Sequence, residues 1–148
     1  MELYTTPLGR TVIGCAIEVH KALGPGLLES VYESGVAHEF RICGLSFEEQ
    51  AAVPICYEGK NLGCGYRIDF VVEGELVVEL KSVERIIPIH HAQMLTYLKL
   101  MQLRQGFLIN FNEVHLKDGI TRITNGLEGK PFFNSPSQPS RSSRDIIE

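Results

Sequence analysis

Three charged residues interrupt the most apolar stretch of the chain, which runs from Tyr66 to Lys81. They are Asp69, Glu79 and Lys81 itself. A charge within so apolar a segment is costly unless it is paired or binds a metal ion. Two carboxylates that lie close together repel each other unless a cation sits between them. Oxygen ligands of this kind favour a hard ion such as Mg²⁺ or Mn²⁺.

The same stretch predicts the geometry that would bring these groups together. Apolar, β-branched and aromatic residues flank a polar break centred on Gly74, a pattern typical of two strands joined by a tight turn. If the turn has three residues, Asp69 lies directly opposite Glu79 and shares its face. Lys81 lies on that face as well, because side chains alternate and Leu80 points the other way. A two-residue turn would place the carboxylates on opposite faces, unless a bulge restored the parity.

An Asp followed about ten residues later by Glu-x-Lys is the signature of the PD-(D/E)XK nuclease superfamily. This chain resembles that signature at Asp69, Glu79 and Lys81, with Ile68 where the name-giving Pro would be. The resemblance implies that Asp69 and Glu79 hold Mg²⁺ or Mn²⁺, with the carbonyl of Leu80 as a further ligand. It also implies that Lys81 orients the attacking water or stabilises the charge that builds on phosphorus.

Further polar residues lie on a helix predicted to begin at Pro88 and to end near Leu103. Gln93 and Tyr97 are one turn apart and share a face, and His90 lies one turn earlier on nearly the same face. A Gln-x-x-x-Tyr pair at this place resembles the fourth motif of several PD-(D/E)XK families. The resemblance assigns Gln93 to the metal site or the attacking water, and it assigns Tyr97, with His90 beside it, to the substrate side. The alternative is an amphipathic helix with an incidental polar stripe.

A second motif, G-x-x-E-x-x-Y, occupies residues 26 to 32. It resembles the motif of the GxxExxY proteins, a family within the same superfamily, and the likeness extends over residues 12 to 125. It implies that Glu29 completes the metal environment, with Glu33 as the substitute. Tyr32 is assigned to the substrate side, although helical spacing places it on the inner face of its helix. The alternative for Glu29 is a carboxylate favoured at a helix N-terminus by the macrodipole.

Composition limits the class of protein. The 148 residues are 44% hydrophobic, which suits one globular domain with a substantial core. The formal net charge of -4 counts against broad, sequence-blind wrapping of nucleic acid, which needs many Lys and Arg side chains. The 4 cysteines form no C-x-x-C pair, so neither a zinc ribbon nor a thioredoxin motif is predicted. With no signal-peptide pattern and no apolar run long enough for a membrane span, we expect a cytoplasmic protein.

Periodicity along the chain predicts an α/β (α+β) domain with the element order α-α-β-β-β-α-β-β. The first helix is predicted from Arg10, after a short arm, and the second from about Leu27 to Cys43. A helix, a three-stranded meander, a helix and a returning strand is the core order of the PD-(D/E)XK fold. The resemblance therefore implies a mixed central sheet flanked by helices. We expect one domain over residues 1–133 and a disordered, Ser- and Pro-rich tail over residues 134–148.

Together these patterns predict a metal-dependent nuclease that hydrolyses phosphodiester bonds, with Mg²⁺ or Mn²⁺ as cofactor and DNA as the expected partner. A homodimer is a further expectation from the resemblance, because many such nucleases cut two strands in that way. The alternative from a different class is a non-catalytic domain that binds nucleic acid or protein and retains the nuclease fold. The acidic pI of about 5.7 favours this alternative. On spacing alone, a surface hairpin with an ion pair at Lys81 is equally compatible with the charges.

Overall fold

The computed structural model describes residues 6–126, which form a five-stranded mixed sheet flanked by helices on both faces. The helices are α1 (Pro7–Leu23), α2 (Glu29–Ile42) and α3 (Pro88–Met101). The strands are β1 (Phe47–Tyr57), β2 (Lys60–Val72), β3 (Leu76–Lys81), β4 (Gln105–Asn110) and β5 (Ile120–Thr124), with a short 3-10 helix at Leu116–Gly119 before the last. This architecture confirms the predicted fold class and element order. The predicted boundary after residue 133 and the predicted tail lie outside the described residues.

The strands follow one another across the sheet in chain order. Neighbouring strands are antiparallel except for β3 and β4, which are parallel. This pair is parallel because α3 connects the two strands: the helix carries the chain back to the end of the sheet at which β3 begins, and β4 starts there as well. Strand β3 therefore lies in the middle of the sheet, where both of its faces are covered.

The sheet separates two apolar cores. The first core lies between the sheet and the pair α1 and α2, and its members include Val12, Val36, Phe40, Phe70, Val78, Leu80 and Phe107. The second core lies between the opposite face and α3, and its members include Ala51, Ile68, Val77, Met94, Leu98 and Leu108. Since side chains alternate along a strand, Glu79 and Lys81 follow Val77 on the α3 side of β3. Leu80, between them, points into the first core.

Two predicted helix starts are wrong by two or three residues. Helix α1 begins at Pro7 rather than Arg10, because Thr6 caps it and its Oγ1 atom accepts a 2.9 Å hydrogen bond from the N–H of Gly9. A proline in the first turn adds to this start, since its fixed φ suits a helix. Helix α2 begins at Glu29, two residues after the predicted Leu27. No helix within residues 6–126 is long and apolar enough to cross a membrane.

Candidate active site

The turn between β2 and β3 has the three-residue length that the parity argument requires. Val72 pairs with Leu76, so the turn is centred on Gly74, whose φ is +67°. Continuing this register along both strands places Asp69 opposite Glu79. The predicted convergence of the two carboxylates on one face therefore follows from the length of the turn.

A pair of hydrogen bonds anchors this turn to the start of β1. The N–H of Glu73 donates to the carbonyl of Ser46 at 2.8 Å, and the N–H of Ser46 donates to Oε2 of Glu73 at 2.7 Å. Glu73 has φ +54°, a left-handed conformation that is unfavourable for a side-chain-bearing residue. The two bonds to Ser46 offset that cost and hold the turn in one conformation.

The strands separate where the carboxylates begin, and we call this separation the fork. The paired ladder between β2 and β3 ends at Phe70 and Val78. At the next position the N–H of Asp69 donates to Oε1 of Glu79 at 2.7 Å, and the N–H of Leu80 donates to Oδ2 of Asp69 at 2.8 Å. The two carboxylates thus replace backbone acceptors, and this keeps both of them inside the fork.

The fork concentrates negative charge in a partly buried place. Burial, followed by the charge of Asp69, raises the pKa of Glu79 from its ordinary 4.5 to about 8. Burial also raises the pKa of Asp69, and the charges of Glu33 and Glu29 add to that rise. Carboxylates whose pKa values are raised by burial and by each other are the groups that a bound cation would stabilise.

Lys81 lies on the same face of β3 as Glu79, as predicted. The Lys81 ammonium also acts on His90 of α3. Desolvation and this positive charge lower the pKa of His90. The carbonyl of Lys81 accepts from the N–H of Phe111 at 2.8 Å, so the main chain of Lys81 faces β4. The N–H and carbonyl of one strand residue point the same way, and the N–H of Leu80 points to the fork. The carbonyl of Leu80 therefore points to the fork as well.

Two of the polar residues predicted on α3, His90 and Tyr97, interact with charged residues at the fork. Tyr97 is half-buried, and burial followed by the charge of Glu79 raises its pKa. His90 lies near Lys81, as its lowered pKa indicates. Gln93 is exposed and lies about one turn from both His90 and Tyr97, so helical spacing puts it on their side of α3.

Helix α2 supplies two further acids, and they differ in how they reach the fork. Glu29 is exposed at the first residue of α2, and its charge raises the pKa values of both Asp69 and Glu79. Glu33 is linked to Asp69 through a side-chain amide. Nε2 of Gln50 donates to Oε2 of Glu33 at 2.9 Å and to Oδ1 of Asp69 at 3.1 Å. The substitute candidate Glu33 is therefore connected to the carboxylate pair by hydrogen bonds.

Gln50 is the functional-site residue that sequence reasoning missed. It has φ +54°, and it lies opposite Asp69 where both strands change face. On one side of this position Phe70 packs into the first core, and on the other Ile68 and Ala51 pack into the second. The change of face turns Asp69 into the fork. No residue pattern predicts it, because a left-handed Gln within a strand has no signature in the sequence.

Tyr32 lies in the first core, where its side chain is 0% exposed, and its predicted position on the substrate side is corrected. Its hydroxyl donates to the carbonyl of Gly24 at 2.5 Å and accepts from the N–H of Leu27 at 3.0 Å. Its ring stacks on Phe111 with centroids 4.4 Å apart. Tyr32 therefore closes the turn between α1 and α2 from the inside, and that turn presents Glu29.

Asn110 holds the chain that leaves the site. It is 0% exposed, and its Oδ1 accepts from the N–H of Val83 at 3.0 Å while its Nδ2 donates to the Val83 carbonyl at 2.9 Å. Nδ2 of Asn112 donates to the same carbonyl at 3.2 Å. The two asparagines therefore satisfy backbone groups at the strand end, and they fix the segment directly after Lys81.

A cleft of about 580 Å³ lies beside the turn between α1 and α2, and its lining residues are Gly26, Leu27, Leu28, Val31, Ser82 and Asn112. Oγ of Ser82 donates to the carbonyl of Leu27 at 2.6 Å, which joins this turn to the end of β3. Because Leu28 precedes Glu29 and Ser82 follows Lys81, the cleft runs alongside two of the predicted site residues.

The donor atoms at the fork fit a hard divalent cation. Asp69 and Glu79 bring two carboxylates to the fork, strand geometry adds the carbonyl of Leu80, and oxygen ligands in a small set are what Mg²⁺ takes from proteins. Within residues 6–126, no group of three or more His, Cys, Asp or Glu side chains could hold a metal ion. The main-chain carbonyl would therefore have to act as a ligand beside the two carboxylates.

Comparison with protein families shows the superfamily to which the chain belongs. The family model of the PD-(D/E)XK nuclease superfamily matches residues 6–123, and the chain belongs to that superfamily. Neither the curated proteins nor the solved structures with which the chain was compared gave a match. The membership and the five-stranded sheet define a nuclease-like domain. Nucleases of this superfamily generally use divalent metal ions and act on nucleic acid.

Proposed function

We propose that this protein is a nuclease that hydrolyses phosphodiester bonds of DNA with Mg²⁺ or Mn²⁺ as cofactor. The observation that carries the proposal is the fork, where Asp69 and Glu79 face each other with raised pKa values and Lys81 lies on the same face. When bound by Asp69, Glu79 and the carbonyl of Leu80, a divalent cation supplies a Lewis acid that polarises a phosphate and lowers the pKa of a bound water.

The surrounding side chains have separate roles in this proposal. The ammonium of Lys81 orients the attacking water or stabilises negative charge as it develops on the phosphate, an effect worth about 100-fold or more in rate at comparable sites. Gln93 supports the water and the outer part of the metal site from α3. His90 and Tyr97 line the side on which the substrate arrives. Glu29 adds negative charge near the fork.

Within the superfamily, we place the chain among the GxxExxY proteins. The support is the G-x-x-E-x-x-Y segment at residues 26 to 32, which covers the turn before α2 and the first residues of that helix. Tyr32 closes the turn from inside the core, and Glu29 is presented at the adjacent start of α2. The homodimer and the cytoplasmic location stay predictions.

Cleavage assays test the nuclease proposal. Supercoiled plasmid, circular single-stranded DNA and an RNA strand are each incubated with the protein and Mg²⁺ or Mn²⁺. We expect cleavage by the wild type, loss of cleavage in Asp69→Ala, and full cleavage in the control Asp118→Ala. Asp118 suits this control because it is an exposed carboxylate outside the fork. Equal cleavage by the wild type and Asp69→Ala would contradict the proposal, since it would come from another enzyme in the preparation.

A non-catalytic binding domain is the second candidate, and a specific observation favours it. Glu29, Glu33 and Glu49 add negative charge next to Asp69, and burial and a hydrogen bond with Glu33 raise the pKa of Glu49. So acidic a surrounding repels a phosphate backbone until a cation is bound. Binding of nucleic acid or protein without cleavage, with either metal ion present, would select this candidate.

A further inference from the structure

An aromatic pair lies beside the fork on the α3 side of the sheet. The ring centroids of Tyr66 on β2 and Tyr97 on α3 are 6.2 Å apart, and the rings are tilted by 45°. Tyr66 pairs with Val53, which packs into the second core, so Tyr66 shares the face that carries α3. Tyr66 is 56% exposed. A large aromatic ring at this exposure, next to a site for phosphate chemistry, suggests a contact with the substrate.

The position of the pair relative to the carboxylates supports that contact. Burial has the largest effect in raising the pKa of Tyr97, and the nearby charges of Glu79, Tyr66 and Asp69 raise it further. Tyr97 therefore lies near both Tyr66 and the fork. Because the rings are tilted rather than stacked face to face, the exposed part of the Tyr66 ring is not covered by Tyr97.

The charge of the chain determines which kind of contact the site needs. There are 14 Lys and Arg residues against 18 Asp and Glu residues, and three of the acids adjoin Asp69. Attraction to phosphates, which supplies most of the affinity of basic nucleic-acid-binding proteins, is therefore weak here. Stacking of bases on aromatic rings does not depend on charge, and it is the usual complement to phosphate contacts in proteins that bind single strands.

We propose that Tyr66 and Tyr97 form a stacking site for an unpaired base of single-stranded nucleic acid. The proposal rests on the proposed function in one respect, namely that a neighbouring phosphate of the same strand lies at the fork. It names the substrate class as single strands or unpaired ends. In a duplex the bases already stack on one another, so a base could reach Tyr66 only after leaving the helix.

Binding measurements test the stacking site separately from cleavage. A short single strand carrying a fluorescent adenine analogue, and the matching duplex, are titrated with full-length protein in Ca²⁺ without Mg²⁺ or Mn²⁺, so that a cation offsets the carboxylates, and a gel checks that no strand is cut. We expect Tyr66→Ala to weaken single-strand binding roughly tenfold and to reduce the quenching of the analogue, with little change for the duplex. Tyr66→Phe keeps the ring and should bind like the wild type. Tyr57→Ala serves as the matched control. Tyr57 lies on β1, the strand that pairs with the one carrying Tyr66, and it is 61% exposed.

The outcomes separate the two proposals. Unchanged single-strand binding in Tyr66→Ala, an equal loss for single strand and duplex, or an equal loss in Tyr57→Ala would overturn the stacking site. If Tyr66→Ala does not fold, Tyr66→Leu replaces it, because leucine keeps apolar contacts and removes the aromatic face. A wild type that quenches the analogue but cleaves nothing would keep the stacking site and refute the nuclease. Cleavage without any dependence of binding on Tyr66 would do the reverse.

Discussion

The backbone N–H of Asp69 donates a 2.7 Å hydrogen bond to Oε1 of Glu79. The N–H of Leu80 returns a bond to Oδ2 of Asp69, so each carboxylate is tied to the main chain of the opposite strand. These side chains hold the two strands together at the point where their backbone pairing has ended. In the proposed enzyme the same oxygens hold a cation, so protonation, strand pairing and metal binding all act on one pair of groups.

Protonation of Glu79 makes stability depend on pH. In the unfolded chain this carboxyl loses its proton near its ordinary pKa of 4.5, whereas in the folded protein the pKa is about 8. Between these values unfolding releases a proton, so the free energy of unfolding falls as the pH rises. The stability that Glu79 contributes through this raised pKa is complete below its unfolded pKa of 4.5, and it is lost as the pH rises past its folded pKa of about 8. Urea denaturation of the wild type and Glu79→Gln should show their difference falling by up to about 1.4 kcal/mol per pH unit.

Glu79→Gln is suited to this comparison because its amide oxygen can still accept the hydrogen bond from Asp69. A stability difference that stays constant across the window, or rises with pH, would show that the charged form of Glu79 is not disfavoured in the fold. The stabilisation of the wild type by Mn²⁺ should grow with pH over the same window, because metal binding requires the deprotonated carboxylate.

Asp69→Asn should separate repulsion from metal binding. The variant keeps an oxygen for the N–H of Leu80 and, above pH 8 where Glu79 is ionised as well, removes one of two close negative charges. Without metal, its free energy of unfolding should stay level or rise by about 1 kcal/mol. The gain in melting temperature on adding Mn²⁺ should shrink, because binding to the native state stabilises by mass action. Asp118→Asn is the control, and it should respond to Mn²⁺ like the wild type. Clear destabilisation of Asp69→Asn, together with a wild type that ignores Mn²⁺, would indicate a structural ion pair instead.

Lys81→Met should lose cleavage while it keeps the metal response. Both carboxylates remain in place, so Mn²⁺ should still raise the melting temperature. Cleavage of the DNA substrate that the wild type cuts should fall by about 100-fold or more, since an electrostatic contact to the developing charge is removed. Lys117→Met removes an exposed ammonium outside the fork, and it should retain both properties. A Lys81→Met protein that cleaves normally would exclude the proposed role of the ammonium.

The parts of the site that could be predicted from sequence are those that depend on spacing along one hairpin. Turn length and alternation determine the parity of Asp69 and Glu79, and both can be counted. Helical spacing likewise places Tyr32 on the inner face of α2, where it lies. Its substrate-side role came from a motif, and a motif does not tell whether a tyrosine faces the core or the solvent. The contribution of Gln50 depends on a pairing between β1 and β2 and on a left-handed φ, neither of which the residue type indicates.

Asn110→Ala should be among the more destabilising single changes near the site. Asn110 is fully buried and satisfies both backbone groups of Val83, so its loss leaves the N–H of Val83 without this acceptor. The Val83 carbonyl keeps its bond from Asn112, but the N–H groups of Val83 and Asn112 both lose an acceptor, which costs about 2–4 kcal/mol in total. Asn112→Ala removes a single hydrogen bond from a half-buried residue and should cost about 1 kcal/mol or less. Urea denaturation measures both, and equal costs would contradict the role assigned to Asn110.

Cys15 and Cys43 should form a disulfide under oxidation. Their sulfur atoms are 3.6 Å apart, with Cys15 buried on α1 and Cys43 exposed at the end of α2. Burial raises the pKa of Cys15 to about 12, so Cys43 should react first. Peroxide treatment should lower the mass by two hydrogens and raise the melting temperature, because a cross-link of this loop length stabilises by about 3 kcal/mol. Cys43→Ser should abolish both effects and Cys56→Ser neither. Absence of the mass change in the wild type would contradict the prediction.

The turn around Gly74 responds differently to lengthening and to shortening. Its residues are exposed, and exposed turns usually tolerate insertions. An added residue can extend from the turn while Val72 and Leu76 remain paired, so the carboxylates stay opposite each other. A deletion forces the strands to re-pair one position along, and Glu79 then moves to the opposite face from Asp69. For protein engineering, this surface turn is a place to insert a peptide tag and an unsuitable place to trim the chain.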